Sequence, residues 1–147
     1  MVEPTTTTPV EAIPLHPEVF TTDAKGQWQL AGTRCRTCGA HFFPRRTVCA
    51  KCLSSDTEVV PLSTRGRLYT YTVVHQSTPE FRVPYVLGYV DLPEGVRVLA
   101  SLVDVEVDRM RIGMPLELRV EPLRTDAEGR SVIGYRLHSV QEVRNGE

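Results

Sequence analysis

The sequence has no apolar run approaching the roughly 18–20 residues of a membrane span. Its first residues also lack the basic-then-apolar order of a secretory leader. A soluble cytoplasmic protein is therefore expected. Charge of either sign is not in excess: the formal net charge is −1. Any attraction for phosphates must then come from a local patch. Aromatic residues make up only 7%, which leaves few platforms for stacking bases. No Gly-rich phosphate loop, nucleophile elbow or Ser, His, Asp order is present. The histidines, at 16, 41, 75 and 138, follow no metal or catalytic spacing, and His75, on an expected strand beside Tyr69 and Tyr71, reads as structural. No long segment has strong helical periodicity, and no internal repeat is found. These absences argue against a membrane protein and against a complete enzyme.

What is present suits a small globular protein. The chain has 147 residues, 41% hydrophobic and 24% charged, enough to bury a core. Its four cysteines all fall within residues 35–52, in two close pairs. A disulfide framework usually spreads its cysteines along the chain, whereas paired knuckles favour a metal. Cys35-Arg-Thr-Cys38-Gly39 and Cys49-Ala-Lys-Cys52 are separated by ten residues. Each two-residue gap lets a tight turn aim two sulfurs at one point, and the ten-residue spacer suffices for a returning hairpin. Four thiolates at about 2.3 Å satisfy tetrahedral zinc and leave no open position, so the metal is structural. Gly39 permits a left-handed backbone that points amides at the sulfurs. Rubredoxin-type iron uses similar knuckles; the tight spacing and the lack of a glycine after Cys52 favour zinc. With all four cysteines committed to metal, none is free as a nucleophile.

Residues 1–20 are rich in Thr and Pro and read as an extended or disordered arm, free or laid along a partner. Residues 21–62 are expected to form the zinc ribbon and residues 63–147 a β domain. The segment 67–75 (RLYTYTVVH) has the β-branched and aromatic richness of a strand. Simple alternation would put Leu68, Thr70, Thr72 and Val74 on one face and Tyr69, Tyr71, Val73 and His75 on the other. Strands are also expected at 85–91, 96–103 and 116–120, the last ended by Pro122, and at 132–143. Gly88 and Gly134 fit sharp bends in a barrel wall. The expected fold is mainly β: a rubredoxin-like zinc ribbon followed by a five-stranded Greek-key barrel of the OB type, whose closure removes exposed edges.

Two surface features could carry recognition. Residues 33–53 contain Arg34, Arg36, Arg45, Arg46 and Lys51 and no acid. This is either a solubilising face around the metal loop or a phosphate-binding patch for coenzyme A or nucleic acid. Phe42 and Phe43 beside it read as packing. The loop 79–85, with Phe81, Arg82 and Tyr85, either presents a recognition surface or folds Phe81 over the barrel mouth.

Together these residues resemble the zinc-ribbon, OB-fold proteins associated with acyl-CoA enzymes. The resemblance is carried by the four cysteines with Gly39, by Phe43-Pro44-Arg45, by 66–74, Pro84-Tyr85 and Glu94-Gly95, and by Ile112-Gly113-Met114-Pro115-Leu116. It implies a non-catalytic accessory subunit of an acyl-CoA thiolase or thiolase-fold lyase. The partner would supply the catalytic residues, and acyl-CoA would be met through the complex. Arg45, Arg46, Phe81, Arg82 and Tyr85 become candidates for contact with the partner or with CoA. Many members begin with a helical segment, which residues 1–30 lack. That departure points to the subtype of anaerobic aromatic degradation, as in benzoylsuccinyl-CoA thiolysis. Two alternatives remain open at this point: a single-stranded nucleic-acid module, against which balanced charge and the acids Asp104, Glu106 and Asp108 argue, and a free acyl-CoA binding or channelling scaffold.

Overall fold

The computed structural model describes residues 12–140. Ten strands follow in chain order: β1 (Ala12–Pro14), β2 (Phe20–Thr22), β3 (Trp28–Cys35), β4 (His41–Phe42), β5 (Thr57–Pro61), β6 (Arg65–Val74), β7 (Tyr85–Asp91), β8 (Arg97–Val103), β9 (Pro115–Thr125) and β10 (Ser131–Ser139). β2 to β5 build the ribbon and its approach, while β1 joins the barrel sheet along β10. The last five close a barrel: β6 pairs antiparallel with β7 and β9, β7 with β8, and β9 with β10, and β10 seals the ring by a short parallel pairing with β8. This strand order is the OB arrangement expected from the sequence.

Alternation along β7 and β8 sends Val86, Val90, Val98, Ala100 and Leu102 inward. Leu68, Leu116, Leu118 and Leu137 meet them from the other strands. On β6 the simple alternation breaks. The register jumps from Leu68↔Val90 to Thr70↔Tyr89, so Tyr69 is an extra residue in a bulge. Leu68 points in, Tyr69 and Thr70 lie outside, and Tyr71 and Val73 pack against the core. The expected face of Leu68, Thr70, Thr72 and Val74 is therefore not formed, because one inserted residue reverses the parity of all that follow.

β9 does not stop at Pro122. A second register shift lies between Val132 and Ile133, where Pro122 pairs with Ile133 and Leu123 is left over. Proline, which has no amide hydrogen to donate, is accommodated at such a bulge. Gly134 stands under that bulge, and a Cβ there would collide with the Leu123 side chain. Its missing Cβ is what permits that close approach.

Part of the expected N-terminal arm is built into the body; residues 1–11 of it lie outside the described residues. β1 runs parallel to β10 through Ala12↔Ser131 to Pro14↔Ile133. Val19 and Phe20 are buried, and Phe20 meets Trp28 and Tyr135 edge-on at 6.2 and 6.1 Å. Phe43 also meets Tyr135, at 6.3 Å. Phe20, Leu30 and Leu62 belong to the same apolar cluster as the barrel leucines, so ribbon and barrel share one core.

Candidate metal centre and docking surfaces

β3 delivers Cys35 at its end, where β4 and β5 pair antiparallel with it. Two similar knuckles follow. In the first, the Gly39 amide donates to the Cys35 carbonyl at 2.9 Å; in the second, the Leu53 amide donates to the Cys49 carbonyl at 3.0 Å. The Lys51 and Cys52 amides donate to Cys49 Sγ at 3.3 and 3.4 Å. The four Sγ atoms lie within 4.8 Å of one another, with Cys35–Cys52 and Cys38–Cys49 each at 3.6 Å. Thiolates at 2.3 Å from a tetrahedral ion stand roughly 3.8 Å apart, so the cage has the size of a zinc site.

Electrostatics favour the same conclusion. The Cys38 and Thr37 amides hold the Cys35 thiol down to about 6 against the effect of burial. The Cys52 and Lys51 amides hold Cys49 below its ordinary value. At Cys52 the Ser54 amide favours the thiolate, yet burial and hydrogen bonds to the other three sulfurs push it up to about 12. Four negative charges do not coexist in this space unaided, and a soft divalent cation is what lets them. This is the only group of three or more His, Cys, Asp or Glu with converging ligand atoms among the described residues.

The knuckles differ in one respect. Gly39 and Leu53 both have a left-handed backbone, with φ of 79° and 65°. Glycine adopts it freely, whereas a side chain costs roughly 1–2 kcal/mol there. Leu53 is also 78% exposed.

The basic stretch 33–53 does not form one free patch. Arg34 and Arg36 both reach Glu58, at 2.9 and 3.3 Å, and Arg36 also reaches Asp56 at 3.3 Å. Arg45 turns inward: its guanidinium donates to the carbonyls of Glu18, Pro17 and Phe20, tying the approach segment to the ribbon. Arg46 lies 5.8 Å over the Phe42 ring. Arg46 and Lys51 make no carboxylate pair among the described residues. On the loop after β6, Phe81 is exposed and stands 6.1 Å from Tyr85, and Arg82 points to solvent without an ion pair among the described residues.

Sequence spacing missed a cluster around His138. This buried side chain has Nδ1 3.1 Å from Asp104 and Nε2 3.1 Å from Glu121. The two carboxylates sit at opposite ring nitrogens and do not converge on one point, so the trio braces β10 against β9 and the turn after β8. Asp104 and Glu121 lie 34 and 17 residues from His138, and no local signal joins them.

No helix among the described residues is long and apolar enough to cross a membrane. Comparison with known proteins matches residues 23–58 to the family described as "ChsH2, rubredoxin-like zinc ribbon domain" and residues 59–121 to "ChsH2, C-terminal OB-fold domain". A DUF35 domain-containing scaffold protein of Methanocaldococcus jannaschii is 34% identical, over 80% of this chain and 86% of that one. Benzoylsuccinyl-CoA thiolase subunit BbsA of Geobacter metallireducens is 34% identical, over 85% of each. Among solved structures, a chain of the Ltp2-ChsH2(DUF35) aldolase superposes with a TM-score of 0.65 and 32% identity, covering 76% of this chain and 84% of that one.

Proposed function

This chain belongs to the ChsH2-type family of DUF35 zinc-ribbon, OB-fold proteins, and from that premise we propose that it is the non-catalytic accessory subunit of an acyl-CoA thiolase or thiolase-fold lyase. The observation that carries the proposal is the likeness to the thiolase subunit BbsA across 85% of both chains, spanning ribbon and barrel alike. The structural neighbour from an aldolase complex supports the same reading. The site chemistry is compatible with it: the four thiols converge on one point and fill a metal's coordination shell, which is a structural role.

We take the ribbon, 21–62, and the barrel, 63–147, as the working modules of a cytoplasmic protein. The thiolase-fold partner supplies the chemistry, and this subunit stabilises it and borders its acyl-CoA site. Arg46, Phe81, Arg82 and Tyr85 are the exposed or half-exposed side chains offered to partner or CoA, while Arg45 positions the approach to the ribbon. Thiolysis of an aromatic acyl-CoA such as benzoylsuccinyl-CoA is the reaction we assign to the complex.

The test is reconstitution. The purified subunit is expected to leave a 3-oxoacyl-CoA uncleaved, the thiolase-fold partner alone to be weak or unstable, and the mixture to be active. Turnover by the isolated subunit would overturn the assignment.

A further inference from the structure

His138 is the one buried histidine among the described residues, and both of its ring nitrogens face carboxylates. Nδ1 lies 3.1 Å from Asp104 Oδ2, and Nε2 lies 3.1 and 3.2 Å from the two oxygens of Glu121. An ionised carboxylate accepts hydrogen bonds and donates none, and a neutral imidazole has a single N–H to give. Carboxylates at opposite nitrogens therefore call for two N–H groups, which the imidazolium alone has. A proton common to the three belongs on the ring, because imidazole is the strongest base among them.

The other charges around the ring leave this demand in place. Glu117 stands opposite His138 across the β9–β10 pair. It pairs with Arg119 and, at 3.4 Å, with Arg65 from β6. The Arg119 hydrogen bond foremost, and more weakly the charges of Arg65 and His138, hold Glu117 below its ordinary value against burial. Arg136, on the same strand as His138, reaches Glu121 at 3.5 Å. Asp104 pairs with no cation but the ring among the described residues.

The position of the trio gives it a consequence. β10 meets β8 through Leu137↔Leu102 and His138↔Val103, the short parallel pairing that closes the barrel. Asp104 is the next residue after that pairing. It has a left-handed backbone, with φ of 57°, and its carbonyl accepts from Ser139 Oγ at 3.0 Å. The ring thus joins the turn after β8 to β9 across the end of β10, where few backbone bonds hold the seam. Without the second proton, one N–H would be left for two carboxylates. Asp104, 78% exposed against 25% for Glu121, is the one free to turn to water.

We propose that His138 is held as an imidazolium that clasps the closing seam of the barrel, and that the seam loosens on the Asp104 side when the ring loses its second proton. The clasp belongs to this chain alone and stands whether or not the accessory-subunit reading holds. An unfolded ring loses its proton at about pH 6.5. A charge favoured by the fold adds stability that is complete below that pH and fades as pH rises through the folded ring's own titration.

The experiment uses full-length, zinc-loaded, isotope-labelled protein. Proton–nitrogen NMR correlations of the imidazole count its N–H groups. At about pH 7.5, where a free imidazole is only about one-tenth protonated, His138 should have a proton on both nitrogens. The same ring in urea-unfolded protein should be neutral. Hydrogen-exchange protection of residues 102–104 and 137–139, corrected for intrinsic rates, should fall roughly ten-fold between about pH 7 and pH 9. The β6–β7 amides serve as the internal reference. Asp104→Asn, at an exposed site, offers Nδ1 an amide that can donate as well as accept. A neutral ring then satisfies both partners, so His138 should have one N–H at about pH 7.5 and the alkaline loosening should vanish. A neutral wild-type ring at that pH would overturn the proposal. So would a wild-type seam equally protected across the range, or an alkaline loss that persists in Asp104→Asn.

Discussion

The ribbon and the barrel solve the same problem with different chemistry. The fully buried large side chains of the barrel are Leu68, Leu116, Leu137, Val90 and Val98; those of the ribbon are Cys35 and Cys49. In the barrel, each buried aliphatic side chain contributes about 1.5–3 kcal/mol, and closure leaves no long open edge. The ribbon has no such reserve. Its two knuckles are short turns whose four thiols do not all ionise together until a cation joins them, Cys52 being the one the other sulfurs push up. One module is thus stable by its own composition and the other by an ion. Their contact through Phe20, Leu30 and Leu62 makes the stability of each depend on the other.

Metal removal should separate the two modules most sharply. Binding energy at sites of this type is on the order of 10–16 kcal/mol. Chelation, or Cys49→Ser, is expected to abolish hydrogen-exchange protection across residues 35–53 while β7 and β8 keep theirs. The melting temperature of the barrel should fall as its shared aromatic layer loosens. An unmoved barrel would show that the common core carries no coupling.

The converse substitution acts on the barrel. Leu116→Ala, at a fully buried position, should cost about 2–5 kcal/mol in urea unfolding. Zinc affinity measured by competition with a chromophoric chelator should change little, because the knuckle geometry is local.

A smaller effect is expected where the bulge in β9 meets β10. Gly134→Ala forces the new methyl onto Leu123 and should cost about 1–3 kcal/mol. Leu123→Ala in the same chain should recover most of that loss, as a double-mutant cycle would read out.

The smallest effect concerns the seam between modules. Glu94, in the β7–β8 turn, accepts from the Ser63 amide at 2.7 Å and from its hydroxyl at 2.6 Å. Burial works to raise its carboxyl, but the Ser63 and local backbone hydrogen bonds, with His41 nearby, hold it below the ordinary 4.5. A depressed carboxylate contributes stability above its unfolded value and loses it as pH falls through the folded one. Wild-type stability should therefore drop in acid below about pH 4.5 by more than that of Glu94→Gln. The difference, seen in pH-dependent melting, is expected to be about 0.5–1.5 kcal/mol.

The metal site was legible because its grammar is local: two pairs of cysteines state both the ligand set and its closure. The barrel was legible because β-branched residues mark its strands, and five strands of this length favour closing. Other features depend on partners far along the chain. The bulge at Tyr69 separates two tyrosines that simple alternation puts on one face, leaving Tyr69 outside and turning Tyr71 to the core, and only the pairing with Tyr89 and Val90 reveals it. The basic stretch 33–53 looked unopposed because Asp56 and Glu58 lie just beyond it and reach back across the sheet. Arg45 looked available for phosphates, yet its acceptors are backbone carbonyls of Pro17, Glu18 and Phe20. Pro14 sits in a strand although its region is proline-rich, because β10 offers it a parallel edge.

The central claim is that this chain is a zinc-folded subunit that works only beside a catalytic partner. Native mass spectrometry of the tagged protein, purified from its own host, tests it most directly. The expected result is a complex with a near-stoichiometric thiolase-fold protein and one zinc ion per copy of this chain. A metal-free chain, or one recovered with nucleic acid in place of such a partner, would contradict the account.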